Sequence, residues 1–221
     1  MIDKKPNSWE LTQGETVFKD DFSLSEAISS SKDKRIAILG GSGIEKASEY
    51  YQKAVILAET ISAAGISIIT GGGPGIMEAG NKGAKSVKST AFSYGLKVKS
   101  IKKEIEANNS YIHENCDFTF NTLSIRLLTL LSISDAIVFF PGGFGTLEEL
   151  FSLLVRIRVD IMKKIPIYLF GSKFWKRLIS WLDEIVKAEE VISEENLKLF
   201  KIEDDIEKIS NEIISYFRAL N

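Results

Sequence analysis

The chain predicts a three-layer α/β fold, a doubly wound and mostly parallel sheet with helices on both faces. Three observations lead there. Short apolar runs alternate with longer stretches that repeat an apolar residue every three to four positions, the pattern of parallel strands joined by helices. Glycine-rich turns follow several of those runs directly, and two of them share the spelling GGxGxxE. Nothing marks an internal boundary across the alternating region, so residues 34–221 read as one domain behind an amino-terminal extension of residues 1–33.

The extension is polar and mixed, with at most a short helix near Ser25 to Ser30. At Arg35 the pattern changes: "RIAILGGSG" is a short strand and a glycine turn, "EKASEYYQKAVILAETISAAG" a helix, and "ISIITGGGPG" a second strand with its turn. A helix opens at "GIMEAGNKGAKS", and "KSTAFSYGLKV" carries the third strand. "KSIKKEIEANNSYIHEN" reads as a long polar loop, the kind of segment that often serves binding beside a parallel sheet. "CDFTFNTL" gives a fourth strand, "SIRLLTLLSISD" a buried helix, "AIVFFPGG" a fifth strand and "TLEELFSLLVRIRVDIM" the helix after it. "KIPIYLFG" is a sixth strand, and "LKLFKIED" supplies a short edge strand between two amphipathic helices, "FWKRLISWLDEIVKAE" and "DIEKISNEIISYFRAL". In such a sheet, ligands are expected where strand carboxyl ends meet helix amino ends.

Composition removes several classes of function. Lys and Arg number 28 against 30 Asp and Glu, and a net charge of −2 gives no reason to expect a nucleic-acid groove or a general pull toward acidic surfaces. A small anion would need a local site. The single cysteine, Cys116, excludes an internal disulfide and points to a buried structural residue, while one histidine, His113, argues against a histidine zinc site or a Ser-His-Asp triad. The opening "MIDKKPNSWELTQGE" lacks a signal peptide's apolar centre, and no run approaches the ~20 apolar residues of a membrane span, so a soluble, cytoplasmic protein is expected.

The chemistry concentrates in the turns. "GGPGIME" (Gly72 to Glu78) and "GGFGTLE" (Gly142 to Glu148) each stand between an apolar strand and a helix. Glycines there permit unusual backbone angles and leave backbone N–H groups open to a ligand; the helix dipole then favours an anion. Gly72, Gly73, Gly142, Gly143 and Gly145 are therefore candidates for a phosphate seat, and Thr146 adds a hydroxyl. "GGSG" at Gly40 to Gly43 is a third turn of this sort. No GxxxxGK[ST] and no complete GxGxxG occurs, which removes the main support for ATP hydrolysis and dinucleotide redox chemistry.

Charged residues flank the turns. Glu148 and Glu149 are about 100° apart on a helix, so only one can point squarely at a ligand before the turn. Glu78 holds the equivalent place in the other turn, and all three could equally be acids favoured at a helix start. Arg126 interrupts the apolar "LSIRLLTLLSI", where a buried charge requires a partner, either a structural carboxylate or a phosphorylated ligand near the "PGGFGT" turn.

These residues resemble a known family. "GGGPGIMEAGNKGA" and "PGGFGTLEEL", with an arginine about fifteen residues before the second, are similar to the GGGxxGxM and PGGxGTxxE signatures of the LOG (Lonely Guy) family. The likeness runs from about Arg35 through the helix after Glu149. It implies a Rossmann-like homodimer that hydrolyses the N-glycosidic bond of a nucleoside 5′-monophosphate, a cytokinin riboside monophosphate or AMP, to free base and ribose 5-phosphate. By position, Gly142, Gly143, Gly145 and Thr146 would hold the phosphate, with Gly72, Gly73, Glu78 and Glu148 also in the nucleotide site. Arg126 and Glu149 would form the catalytic pair, with Glu148 the fallback, and no metal or organic cofactor is needed.

Family members often carry the label "possible lysine decarboxylase", yet no setting for a Schiff-base lysine is evident. Where the family usually has Arg-Lys, this chain has Arg126-Leu127. That departure keeps a second reading open: a nucleotide-binding or molybdenum-cofactor-binding carrier of the same fold without hydrolase activity. His113, in a polar loop, reads as solvated, and Trp175 and Trp181 as packing residues on one helical face.

Overall fold

The computed structural model describes residues 8–99, 109–186, 188–189 and 191–220. β1 (Arg35–Leu39), β2 (Ser67–Thr70), β5 (Ala136–Phe139) and β6 (Ile167–Phe170) are buried at every position, which is why each reads as a nearly unbroken apolar run. β3 (Ser93–Val98), β4 (Asp117–Phe120) and β7 (Lys201–Glu203) complete a seven-stranded sheet in the order β4-β3-β2-β1-β5-β6-β7. Every neighbouring pair is parallel. The chain steps outward from β1 to β4, then returns to lay β5 on the other side of β1, with Leu39 beside Phe139. That reversal leaves a crevice beyond the carboxyl ends of β1 and β5.

Alternation along the strands sends side chains to two cores. Ile36, Ile38, Ile68 and Val138 pack with α2 (Glu49–Ala63), α3 (Ile76–Ser86) and α8 (Ile206–Ala219). Ala37, Leu39, Ile69, Ile137 and Phe139 pack with α4 (Leu123–Ser132), α5 (Phe144–Arg158) and α6 (Ser172–Trp181) on the opposite face. A short α7 (Glu194–Leu197), started by a Ser193/Asn196 capping box, leads into β7. The three-layer α/β architecture expected from the sequence is thus present, and no described helix is long and apolar enough to cross a membrane.

Three local expectations need correction. The amino-terminal segment forms α1 (Ser8–Ser29), far longer than a short helix near Ser25 to Ser30. Its sequence has no strong apolar stripe; what docks it is tertiary, with Ile28 in the α4–α5 core, Leu24 packed against that core, and Asp21 buried against the β4–α4 turn. Second, α6 ends at Trp181 and gives way to one π-helical turn, Leu182–Val186. Trp175 is fully buried and donates its indole N–H to Phe170 O, whereas Trp181 is 53% exposed; six helical positions put the two about 120° apart. Third, His113 is half-buried: its Nδ1 accepts the Ser93 amide at 2.9 Å, and burial, with Lys85 nearby, lowers its pKa and keeps it neutral. Of the polar loop after β3, residues 100–108 lie outside the described residues.

Arg35 opens β1 fully buried, paired with Asp33 at 2.6 Å and stacked over the Tyr94 ring. Burial would raise the Asp33 carboxyl, but hydrogen bonds from Arg35 and Ser31 bring it down to about 2. The stabilisation is therefore complete above the ordinary value of 3.8 and lost as pH falls toward about 2. We expect the Tm gap between wild type and Asp33→Asn to be widest near neutral pH and to shrink below about pH 4. A gap independent of pH would show that the charge contributes nothing.

Candidate active site

Three strand-to-helix turns meet in the crevice, and backbone hydrogen bonds tie them together. Gly41, after β1, donates its N–H to Pro141 O at 2.9 Å and accepts at its carbonyl from Ile76 N at 3.2 Å. The turn after β1 therefore holds both helix starts, those of α3 and α5. Gly75, the N-cap of α3, has φ +67° and sits so tightly on the Gly41 and Ser42 carbonyls that no Cβ fits. Neither α3 nor α5 carries a side-chain cap at its start, and the first helical bond of α5 runs from Leu147 N to Gly143 O. The amides of Phe144, Gly145 and Thr146 thus precede the ladder of α5 and face the crevice with the positive end of its dipole.

The cavity has a volume of about 360 Å³. One wall is the α5 turn, Gly143 to Thr146 with Glu148 and Glu149; the floor is Gly40, Gly41, Gly71 and Gly73; the other wall is apolar, from Met77, Val98, Leu123 and Leu127. Volume and lining suit one small ligand with an anionic end and a flat apolar end.

Arg126 and Glu149 meet inside it. Arg126 stands on the first turn of α4, 7% exposed, and donates Nε to Leu96 O and Nη1 to Glu149 Oε1, each at 2.8 Å. The Glu149 side chain is 12% exposed. Burial raises its pKa above the ordinary 4.5; Arg126 opposes that through charge and hydrogen bond, and Glu148 adds to the rise. The pair leaves a carboxyl group whose proton is held more tightly than usual, beside a fixed cation.

The remaining sequence candidates divide. Gly143, Gly145, Thr146, Glu148 and Gly73 line the cavity, Glu148 at its exposed rim. Gly142 stands behind the wall, where a Cβ would collide with the Thr146 hydroxyl. Gly72, at φ +75°, spends its amide on Thr70 Oγ1 at 2.9 Å and does not line the cavity. Glu78 also lies outside the lining, taken by the Tyr51 hydroxyl at 3.0 Å and Lys46 at 2.6 Å.

Sequence reasoning passed over Gly71. A Cβ built there would overlap Arg126 Nη2 and come within 2.7 Å of Met77 Sδ, so this glycine makes room for the guanidinium. The signal was present as the first letter of "GGG". Beneath the floor, Asn81 accepts from Thr70 and Asn109 and donates to Ser93 and Tyr94 O, a buried network that fixes β2, β3 and α3 to one another. Cys116 is buried, and burial pushes its thiol up, as a structural residue requires.

The chain is similar to known proteins in sequence and in fold. The family model described as "Possible lysine decarboxylase" matches residues 68–213. The cytokinin riboside 5'-monophosphate phosphoribohydrolase LOG3 of Arabidopsis thaliana is 28% identical over 168 residues, covering 73% of this chain and 74% of that protein. The pyrimidine/purine nucleotide 5'-monophosphate nucleosidase of Escherichia coli (strain K12) is 34% identical over 129 residues, 55% of this chain and 28% of that protein. Among solved structures, the molybdenum cofactor binding protein from Rippkaea orientalis superimposes with a TM-score of 0.59 at 19% identity, covering 85% of this chain and 99% of that one. The molybdenum cofactor carrier protein from Chlamydomonas reinhardtii does so with 0.59 at 18% identity, with the same coverage. Both likenesses are of fold.

Proposed function

The chain belongs to the LOG family, whose model bears the description possible lysine decarboxylase, and on that premise we propose that it hydrolyses the N-glycosidic bond of a nucleoside 5′-monophosphate. The products are free base and ribose 5-phosphate. The observation that carries the reading is the Arg126–Glu149 pair, enclosed in the cavity within reach of the open amides of α5. The phosphate sits on those amides and the Thr146 hydroxyl. The base lies along Met77, Leu123 and Leu127, and the ribose falls between, before Glu149.

Cleavage of the C1′–N bond develops positive charge on the sugar, which the Glu149 carboxylate stabilises. Water attacks C1′ as the bond breaks; Glu149 accepts its proton, the departing nitrogen of the base takes a proton from solvent, and Glu149 then returns its own to solvent, so one water is consumed with no net proton. Arg126 fixes the carboxylate and neutralises it in the resting state. The decarboxylase description finds no counterpart: among the described residues, none lining the cavity is a lysine that could form a Schiff base.

The same reading takes the protein as a cytoplasmic homodimer, with residues 34–221 as the catalytic domain and 1–33 as its extension. Chromatography of AMP and isopentenyladenosine monophosphate incubated with the protein tests the activity: base and ribose 5-phosphate should appear in equal amounts. Nucleotide binding without base release would replace the hydrolase with a carrier.

Gly145 separates binding from folding. A Cβ there meets nothing within 4 Å, and alanine is favoured over glycine in a helix by about 0.5–1 kcal/mol. Gly145→Ala should therefore keep or raise Tm while KM for the monophosphate rises about tenfold, because the methyl group occupies the phosphate's approach. An unchanged KM would place the phosphate elsewhere.

A further inference from the structure

α1 reaches the catalytic pair through one buried side chain. Asp21 is 1% exposed and accepts hydrogen bonds at both carboxylate oxygens: Oδ1 from Asn121 N at 2.8 Å and Asn121 Nδ2 at 3.1 Å, Oδ2 from Thr122 N at 2.8 Å and Thr122 Oγ1 at 2.7 Å. Thr122 is the N-cap of α4, yet its hydroxyl does not cap its own helix; it donates to Asp21 instead. A carboxylate from another helix has taken over the amino end of α4, where negative charge is favoured. Thr122 O in turn accepts the amide of Arg126 at 3.2 Å. One turn further on, Thr129 Oγ1 donates to Ser25 of α1 at 2.9 Å, a second tie along the same helix pair.

We infer that Asp21 is a positioning residue: it fixes the first turn of α4 and, through Thr122, sets where the Arg126 guanidinium meets Glu149. The inference rests on the hydrolase reading for its rate measurement only. Arg126 can satisfy Leu96 O and Glu149 together only if its Cα stays in place, since the side chain is enclosed above Gly71. Without Asp21, the Asn121 and Thr122 amides must seek other acceptors and the turn shifts. Displacements of about 1 Å at such distances cost up to about a hundredfold in rate.

The test compares Asp21→Ala with Asp205→Ala, which removes an ordinary cap from α8 on the far face, where Asp205 accepts from Glu207 N and Lys208 N. Both should lower Tm. Only Asp21→Ala should lower kcat per folded molecule, by about tenfold or more, with KM within about twofold. It should also move the Glu149 titration to higher pH. The groups facing that carboxyl are Arg126 and Glu148, and withdrawing Arg126 leaves burial and Glu148 unopposed.

The titration is read by ¹³C NMR of glutamate carboxyls, assigned through Glu149→Gln, and needs no turnover; it therefore decides the matter even if no nucleotide is hydrolysed. An unmoved Glu149 titration in folded Asp21→Ala would overturn the proposal and leave Asp21 a plain structural residue. If Asp21→Ala does not fold, Thr122→Val, which removes one of these bonds, takes its place: a shift in the same direction sustains the inference, and no shift overturns it.

Discussion

Glu149→Gln is expected to reduce kcat for base release by about 10²–10⁴-fold, with KM for the monophosphate nearly unchanged. The amide can still accept from Arg126 but can neither carry the charge that stabilises the sugar cation nor take a proton from water. Gln is the informative replacement. Removing one member of a buried pair outright costs about 3–5 kcal/mol, so Glu149→Ala would confound lost chemistry with lost fold. Wild-type activity should also fall on the acid side at a pH above the ordinary carboxylate value of 4.5, because burial raises Glu149 and the ionised form does the work. Base release by the Gln variant within tenfold of wild type would remove Glu149 from the chemistry.

Gly71→Ala should be nearly as damaging, by a different route. Its methyl group would occupy the space of Arg126 Nη2 and press on Met77 Sδ, so either the guanidinium leaves Glu149 or the β2 turn moves. Overpacking of this kind costs about 1–3 kcal/mol in stability, and we expect a loss in kcat of about a hundredfold. Gly73→Ala is the comparison: its methyl group meets chiefly the Cε end of Met77, a flexible side chain that can turn aside. The two alanine variants, measured side by side for kcat and Tm, should therefore part company. Equal rates would mean that the guanidinium can be displaced at no cost to the reaction.

How far the sequence could be read depended on the range of the interactions. Parallel strands buried on both faces are written locally, as in "RIAIL" and "AIVF", and so are the turns that follow them. The buried charge at Arg126 likewise announced its need for a partner, and the partner stands 2.8 Å away. The long reach of α1 was not legible, because its docking depends on Asp21 meeting a turn a hundred residues later in the chain. Nor could the spelling GGxGxxE distinguish its two copies. In the first, Thr70 takes the Gly72 amide and Tyr51 and Lys46 take Glu78; in the second, the amides open on the cavity and the acids line it. Only neighbours from other elements decide which turn is spent on structure.

The two bonds of Gly41 bear on how this site can change. Because one residue links Pro141 O to Ile76 N, a shift in either helix start is felt at the other. Substitutions in the two turns should then be non-additive, and a double-mutant cycle between Gly73 and Gly143 would measure the coupling. Transplanting the α5 turn of a relative into this chain would import one part of a matched set. The exchangeable unit is the trio of turns, so the backbone geometry of this crevice changes as a set, while the side chains of α3 and α4 that line it can change one at a time.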